Sequence, residues 1–266
     1  MRTSTLLLVA LVAPELLGAQ APEPRTTGVM FAFENFADRY GSQLVAAFES
    51  IPESRFDYKP TPTQQSIGYI AQHLEGANYD LCQSAGGPAH TLTRKDSLAD
   101  TIKARWPKDT LLARLEASLR YCDTVLARMG SVETGVRATM LLAFETDLAE
   151  HYSQLASYMR LLGMTPPSAV PPAKHTPIAL SPSALSAYLG VYEITPDITL
   201  TVTTRDGTLI GQTTLGGPRR LLPESPTEFF VEGVDAGMTF VRDPSGAVTA
   251  LVLHQYGRDR VAKRRR

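Results

Sequence analysis

Between residues 27 and 165 the apolar positions recur in alternating steps of three and four, the spacing that gathers one face of a helix. Four blocks carry this pattern: Phe33, Phe36, Tyr40, Leu44 and Phe48; Ile67, Ile70, Leu74, Ala77 and Leu81; Leu112, Leu115, Leu119, Cys122, Leu126 and Met129; and Phe144, Leu148, His151, Leu155, Tyr158 and Leu162. Pro52, Pro60 and Pro62 separate the first two blocks, and a long connection from Gly86 to Pro107 separates the second from the third, long enough to cross a bundle or to line a site. Asp109, after Pro107, is the expected N-cap of the third helix, and Gly163 followed by Pro166 and Pro167 is the expected stop of the fourth. Four such stripes predict a four-helix bundle over 27–165.

The period then changes. Residues 166–182 hold too many prolines for a helix or sheet interior and read as a semi-rigid linker, with His175 an exposed linker residue. From 183 to 266 the alternation is twofold: Ile198, Leu200 and Val202 fall on one side, Thr199, Thr201 and Thr203 on the other. Arg205-Asp206-Gly207 supplies a hairpin turn into Leu209–Gln212, and Asp243-Pro244-Ser245-Gly246 supplies another. Further strands are expected at Tyr188–Ile194, Arg219–Leu222, Glu228–Val231, Met238–Arg242, Val248–His254 and Arg260–Lys263. This regular spacing predicts an antiparallel meander curled into a barrel or half-barrel, and the whole chain reads as α+β with two domains.

Composition narrows the class. The 266 residues are 43% apolar with a formal net charge of −1, enough for two cores and without the global field that would draw nucleic acid or an anionic membrane. Lys263-Arg264-Arg265-Arg266 has no interleaved aromatics and reads as a solvated terminus. Arg2, the short apolar run Leu6–Val12 and the small residues up to Ala21 have the form of a secretory signal over 1–21, cleaved after Ala19, which predicts a periplasmic or secreted protein with no stable membrane span after its removal. In such a compartment Cys82 and Cys122 can form a disulfide, against the rival of a buried free thiol at Cys122.

Candidate chemistry gathers on the second and fourth blocks. Asp147 and His151, four apart, project from one helix face, and His73 on the second helix can complete a three-ligand metal site between them. Glu150 is the candidate outer-shell base, and Asn78 and Tyr79 are candidate cleft residues. Residue type and spacing alone favour a plainer role for His151, a buried ring paired with Asp147, Glu150, Tyr69 or Tyr152. His254, at a strand end, is expected to make a structural hydrogen bond.

Several segments in order resemble the DinB-like family of metal-binding four-helix bundles: Ile51-Pro52-Glu53-Ser54-Arg55-Phe56-Asp57-Tyr58-Lys59-Pro60, Ile67-Gly68-Tyr69-Ile70-Ala71-Gln72-His73, and His151-Tyr152-Ser153-Gln154-Leu155 through Leu162-Gly163-Met164-Thr165-Pro166-Pro167. The resemblance implies a divalent metal, zinc, nickel or iron, held by one histidine of the second helix and two of the last. Asp147 stands where one of those histidines is expected. Two histidines and a carboxylate remain a competent ligand set, and the substitution equally fits a site that has lost its metal. A working site would imply thiol S-transfer or hydrolysis of an unknown small molecule; the alternative is a non-catalytic periplasmic binding or stress-related protein with a degenerate site. A homodimer is compatible with such bundles, although no stripe is apolar enough on a second face to require one.

The C-terminal half resembles a small β-domain of unknown function found behind beta-lactamase-like serine hydrolases, through Tyr188-Leu189-Gly190-Val191-Tyr192-Glu193, the Asp206-Gly207 hairpin and Val248–Gln255 followed by Gly257-Arg258. It implies an accessory or ligand-contacting role. Ser-x-x-Lys, Gly-x-Ser-x-Gly, His-Glu-x-x-His and phosphate-binding glycine loops are absent, so serine hydrolase and zincin chemistry have no motif to rest on.

Overall fold

The structure, a computed structural model, describes residues 28–132 and 135–265. The expected signal at 1–21 lies outside the described residues. Among the described residues six α-helices precede a sheet: α1 Gly28–Ser50, α2 Ile67–Ser84, the single turn α3 Asp100–Lys103, α4 Lys108–Arg128, α5 Gly135–Leu161 and the short α6 Pro182–Ser186. The sheet is a closed antiparallel barrel of β1 Gly190–Glu193, β2 Thr199–Arg205, β3 Thr208–Thr213, β4 Arg219–Pro223, β5 Glu228–Val231, β6 Ala236–Arg242, β7 Val248–Gln255 and β8 Arg258–Arg264. Each strand pairs with the next in sequence, and β8 returns to β1 through Tyr192 opposite Arg264. Closure leaves no open sheet edge.

Each of α1 and α2 packs against both α4 and α5, and these four helices share one core in which Leu44, Phe48, Ile70, Leu74, Leu115, Cys122, Phe144, Leu148 and Leu155 are buried. α5 stops as its sequence predicts. Gly163 takes a positive φ of 74°, its N–H donates to Arg160 O, and the Met164 N–H reaches back to Met159 O at 2.8 Å, the paired bonds that satisfy the last carbonyls of a helix. Cys82 and Cys122 are joined in a disulfide that ties α2 to α4 from inside this core.

Two expectations for α4 are corrected. The buried face is Leu111, Leu115, Ser118, Cys122, Val125 and Leu126, rotated from the stripe through Leu112, Leu119 and Met129. Ser118 turns inward because its hydroxyl is satisfied there, accepting from Asn78 Nδ2 and donating to Leu115 O. Nor does Asp109 cap the helix: Pro107 occupies the cap position without a side-chain bond, and Glu53 Oε1 accepts from the Lys108 N–H instead. Phe36, counted in the first stripe, is largely exposed and stacks on Tyr40.

A second core fills the barrel with Tyr192, Leu200, Val202, Leu209, Leu221, Phe229, Phe240 and Leu251, and α6 adds Leu185 and the following Tyr188. Asp206 and Gly207 both adopt positive φ, as a two-residue turn between right-twisted strands requires. Tyr256-Gly257 makes the same kind of turn between β7 and β8 without an obvious turn signature in its first residue.

In the basic C-terminus Lys263 and Arg265 are exposed as expected, and Arg264 is the correction. Arg264 belongs to β8, and its guanidinium donates to the carbonyls of Ala187, Val248 and Leu189, while Arg265 Nε pairs with Glu193 at 2.9 Å. His175 is exposed in the linker, as expected, and it also pairs with Glu224 at 2.6 Å and stacks on Phe230, fastening the linker to the barrel.

The barrel is in turn clamped to the helices. Arg258 Nε donates to Asp38 Oδ1 at 2.8 Å and the same guanidinium pairs with Asp123; Arg260 holds Asp38 Oδ2 and lies over the Phe31 ring at 5.3 Å. With its side chain 7% exposed, Asp38 is a buried charge neutralised by two arginines from another domain.

Candidate metal centre

The start of α2 is set by Ser66, whose hydroxyl accepts from the Tyr69 N–H at 3.2 Å, while the N–H groups of Ile67 and Gly68 donate to Tyr58 O and Phe56 O. Gly68 is required here: a Cβ would lie 2.2 Å from the carbonyl oxygen of Ala104, so α3 could not approach the first turn of α2. That fixed turn places His73 in the cleft between α2 and α5, with Tyr69 one turn earlier stacked parallel to its ring at 6.5 Å.

From α5, Asp147 and His151 enter the same cleft. Asp147 Oδ1 lies 3.3 Å from His73 Nε2 and 3.4 Å from His151 Nε2, and the three candidate ligand atoms fall within 4.8 Å of one another. The two imidazoles meet edge to face, centroids 4.8 Å apart. Exposure grades across the group, from 36% for His73 through 19% for Asp147 to 12% for His151, so the site opens to solvent on its α2 side. Burial opposes the Asp147 charge, but hydrogen bonds from His151 and His73 outweigh it and hold the carboxyl well below the usual carboxylate range. Burial likewise opposes charge on His151, and bonding to Asp147 overcomes it, raising the ring's proton affinity.

Two observations test whether these residues fit a divalent ion. Asp147 Oδ2 is buried without a hydrogen-bond partner, so the carboxylate of the only triplet of candidate ligands among the described residues keeps an unused acceptor. The 3.3 and 3.4 Å separations are long for charge-assisted hydrogen bonds, which run about 2.7–2.9 Å. Those two separations match the roughly 3.4 Å edge of a tetrahedron built on metal bonds of about 2.0–2.1 Å, while the three ligand atoms together are held only to within 4.8 Å. Two histidines and one carboxylate with an exposed side fit a divalent metal.

The remaining candidates fall elsewhere. Glu150 is exposed on α5 beside His151, and its charge adds to that ring's proton affinity. Asn78 is buried against α4, donating to Ser118, and Tyr79 stacks on His90 of the long connection at 3.5 Å, so both face away from the α2–α5 cleft. Tyr152 accepts from the Ser168 N–H at 2.8 Å and tethers the linker rather than a histidine. His254 lies between Thr239 Oγ1 at 2.8 Å and Asp259 Oδ1 at 2.6 Å, with both ring nitrogens occupied on the barrel surface.

Sequence reasoning passed over Gln154 and Tyr158. Gln154 Oε1 is 3.0 Å from His151 Nδ1, its Nε2 donates to Tyr158 OH at 2.8 Å, and that hydroxyl donates to Gln65 O at 3.2 Å. The available signal was spacing, since His151, Gln154 and Tyr158 stand three and four apart on one helix face. Glu145 was also overlooked: both carboxyl oxygens are buried and unpartnered, and burial, with the Asp38 charge adding to it, pushes its pKa up to about 9.

Residues 174–264 match a domain of unknown function, DUF3471, which covers the barrel and the end of the linker. No curated protein matches the chain. Two crystal structures of SurE, one of them with D-Leu, are 25% and 23% identical to it, the matches covering 45% of this chain and 28% and 27% of those chains, each with a TM-score of 0.29. The chain thus spans under a third of the length of either, and at that TM-score the likeness carries no argument.

Proposed function

We propose that this is an exported protein whose DinB-like four-helix bundle binds a divalent metal, zinc, nickel or iron, through His73, Asp147 and His151, and that the site supports a metal-dependent thiol S-transfer or hydrolysis of a small molecule. The observation that carries the reading is the convergence of those three side chains, with His73 Nε2 and His151 Nε2 at 3.3 and 3.4 Å from Asp147 Oδ1. A divalent ion held there would supply Lewis acidity that lowers the pKa of a coordinated thiol or water toward neutral pH, favouring the thiolate or hydroxide. The chain's own part is to hold the donors: α2 presents His73 from the exposed side, where a substrate enters, and α5 presents the more buried pair. Glu150, exposed next to His151 in sequence, is the candidate outer-shell base. Among the described residues no helix is long and apolar enough to cross a membrane. The barrel is clamped through Asp38 of α1 and Asp123 of α4, on helices that carry none of the three ligands, and its role is accessory.

The test is elemental analysis of untagged mature protein purified without chelator, beside His73→Ala and His151→Ala. Near-stoichiometric metal in the wild type and none in the variants is the expected result. A folded wild type that carries no metal and takes up none when it is added overturns the reading in favour of a non-catalytic binding protein.

A further inference from the structure

The hydrogen-bond chain behind His151 has a direction, and the direction starts at an atom that can only accept. Gln65 O is a backbone carbonyl, so Tyr158 OH, 3.2 Å away, must spend its one proton there. The phenol oxygen is then left as an acceptor and takes an N–H from the Gln154 amide at 2.8 Å. Flipping that amide would turn its oxygen toward Tyr158, which has no second proton to give, and would cost a hydrogen bond. Gln154 Oε1 is therefore the atom at 3.0 Å from His151 Nδ1, and an oxygen there requires Nδ1–H. With the proton pinned on Nδ1, Nε2 is the imidazole atom left facing Asp147 and His73.

The chain also spans the two elements that build the site. Gln65 immediately precedes the Ser66 cap of α2, the helix bearing His73, whereas Gln154 and Tyr158 belong to α5. Tyr58 packs edge-on against the Tyr158 ring, with centroids 6.0 Å apart, which holds the phenol in place.

We propose that Gln154 is a positioning residue that, oriented by Tyr158 and Gln65 O, holds His151 with its proton on Nδ1 and so commits Nε2 to the metal. This rests on the metal reading above. Zinc affinity of metal-free protein, measured by competition with a chromophoric chelator, tests it in wild type, Gln154→Leu, Gln154→Glu, Tyr158→Phe and the double variant Gln154→Glu with Tyr158→Phe. Loss of such an outer partner costs about 10–100-fold in metal affinity, which is the expectation for Gln154→Leu. Tyr158→Phe frees the amide to flip and weakens binding less. Gln154→Glu restores affinity, because a carboxylate accepts from Nδ1–H whichever way it turns, and in that background Tyr158→Phe has no further effect. A merely structural role for Tyr158 would lower affinity equally in both backgrounds.

Equal zinc affinity in wild type and Gln154→Leu, or nitrogen shifts in the zinc-loaded protein that put the metal on His151 Nδ1, overturn the positioning role while leaving the metal site standing. A wild type that takes up no zinc sinks the metal reading itself, and this inference with it.

Discussion

The disulfide between α2 and α4 offers the most direct quantitative test of how the helical part is held together. Replacing Cys82 and Cys122 together by alanine opens a loop closed over a sequence separation of 40 residues. The chain-entropy argument assigns a cross-link of that span about 4 kcal/mol, chiefly by raising the free energy of the unfolded chain. Both cysteines are fully buried, so the two alanines also leave small voids, and 4 kcal/mol is the lower side of the expected loss. Trp106 is the chain's single tryptophan and sits in the helical part just before α4, beneath the Arg114 guanidinium, so its fluorescence follows this domain without a contribution from the barrel. With a urea dependence of about 2 kcal/mol per molar, the midpoint falls by about 2 M. Full burial further predicts that the native protein resists reductant until it unfolds. A midpoint displaced by less than about 0.5 M, or thiols that react freely in the folded wild type, would refute the assignment of the bridge as a main constraint on this domain.

Two further outcomes follow from charges outside the candidate centre. Asp38→Ala leaves Arg258 and Arg260 facing the helices without their shared carboxylate and is expected to cost about 3–5 kcal/mol, read as early melting and faster hydrogen exchange in β7 and β8; unchanged exchange there would show that the barrel docks by other means. Glu145 provides the pH dependence. Its folded pKa of about 9 lies above its ordinary 4.5, so the fold favours the neutral carboxyl and loses stability as pH rises from about 4.5 toward 9. Glu145→Gln removes that loss, raising stability by up to about 3 kcal/mol at pH 7 and little at pH 4. Parallel urea midpoints at the two pH values in wild type and variant would contradict it.

How far the fold was readable differs by element. The hairpin at Asp206-Gly207 and the stop at Gly163 were legible because each depends on one or two neighbouring residues tolerating a positive φ. The inward face of α4 was not. Leu111 and Leu112 stand side by side, as do Ser118 and Leu119, and periodicity alone prefers the leucines. The outcome turned on Asn78, which waits on α2 for the Ser118 hydroxyl, and on Gly41, whose missing side chain makes room for Leu119 at the edge of the core. Asn78 and Tyr79 were misplaced for a related reason: two or three residues of helix carry a side chain from the α5 side of α2 to its α4 side. The Asp147–His151 pair was visible in its spacing, whereas Gln154 and Tyr158 were hidden because their partner, Gln65 O, is a backbone atom 93 residues away from Tyr158.

By itself the sequence determined what depends on a few neighbouring residues: helical and strand periods, the turns that punctuate them, and the placement of Asp147 and His151 on one helix face. Tertiary structure alone decided what joins distant residues: His73 meeting Asp147 across a separation of 74, β8 closing on β1, and Arg258 reaching Asp38 across 220. The physical reason is that a period specifies which residues share a face but not the rotation and tilt at which two faces meet. Those are set by close packing of the whole core, where a single glycine or buried hydroxyl can outweigh the pattern.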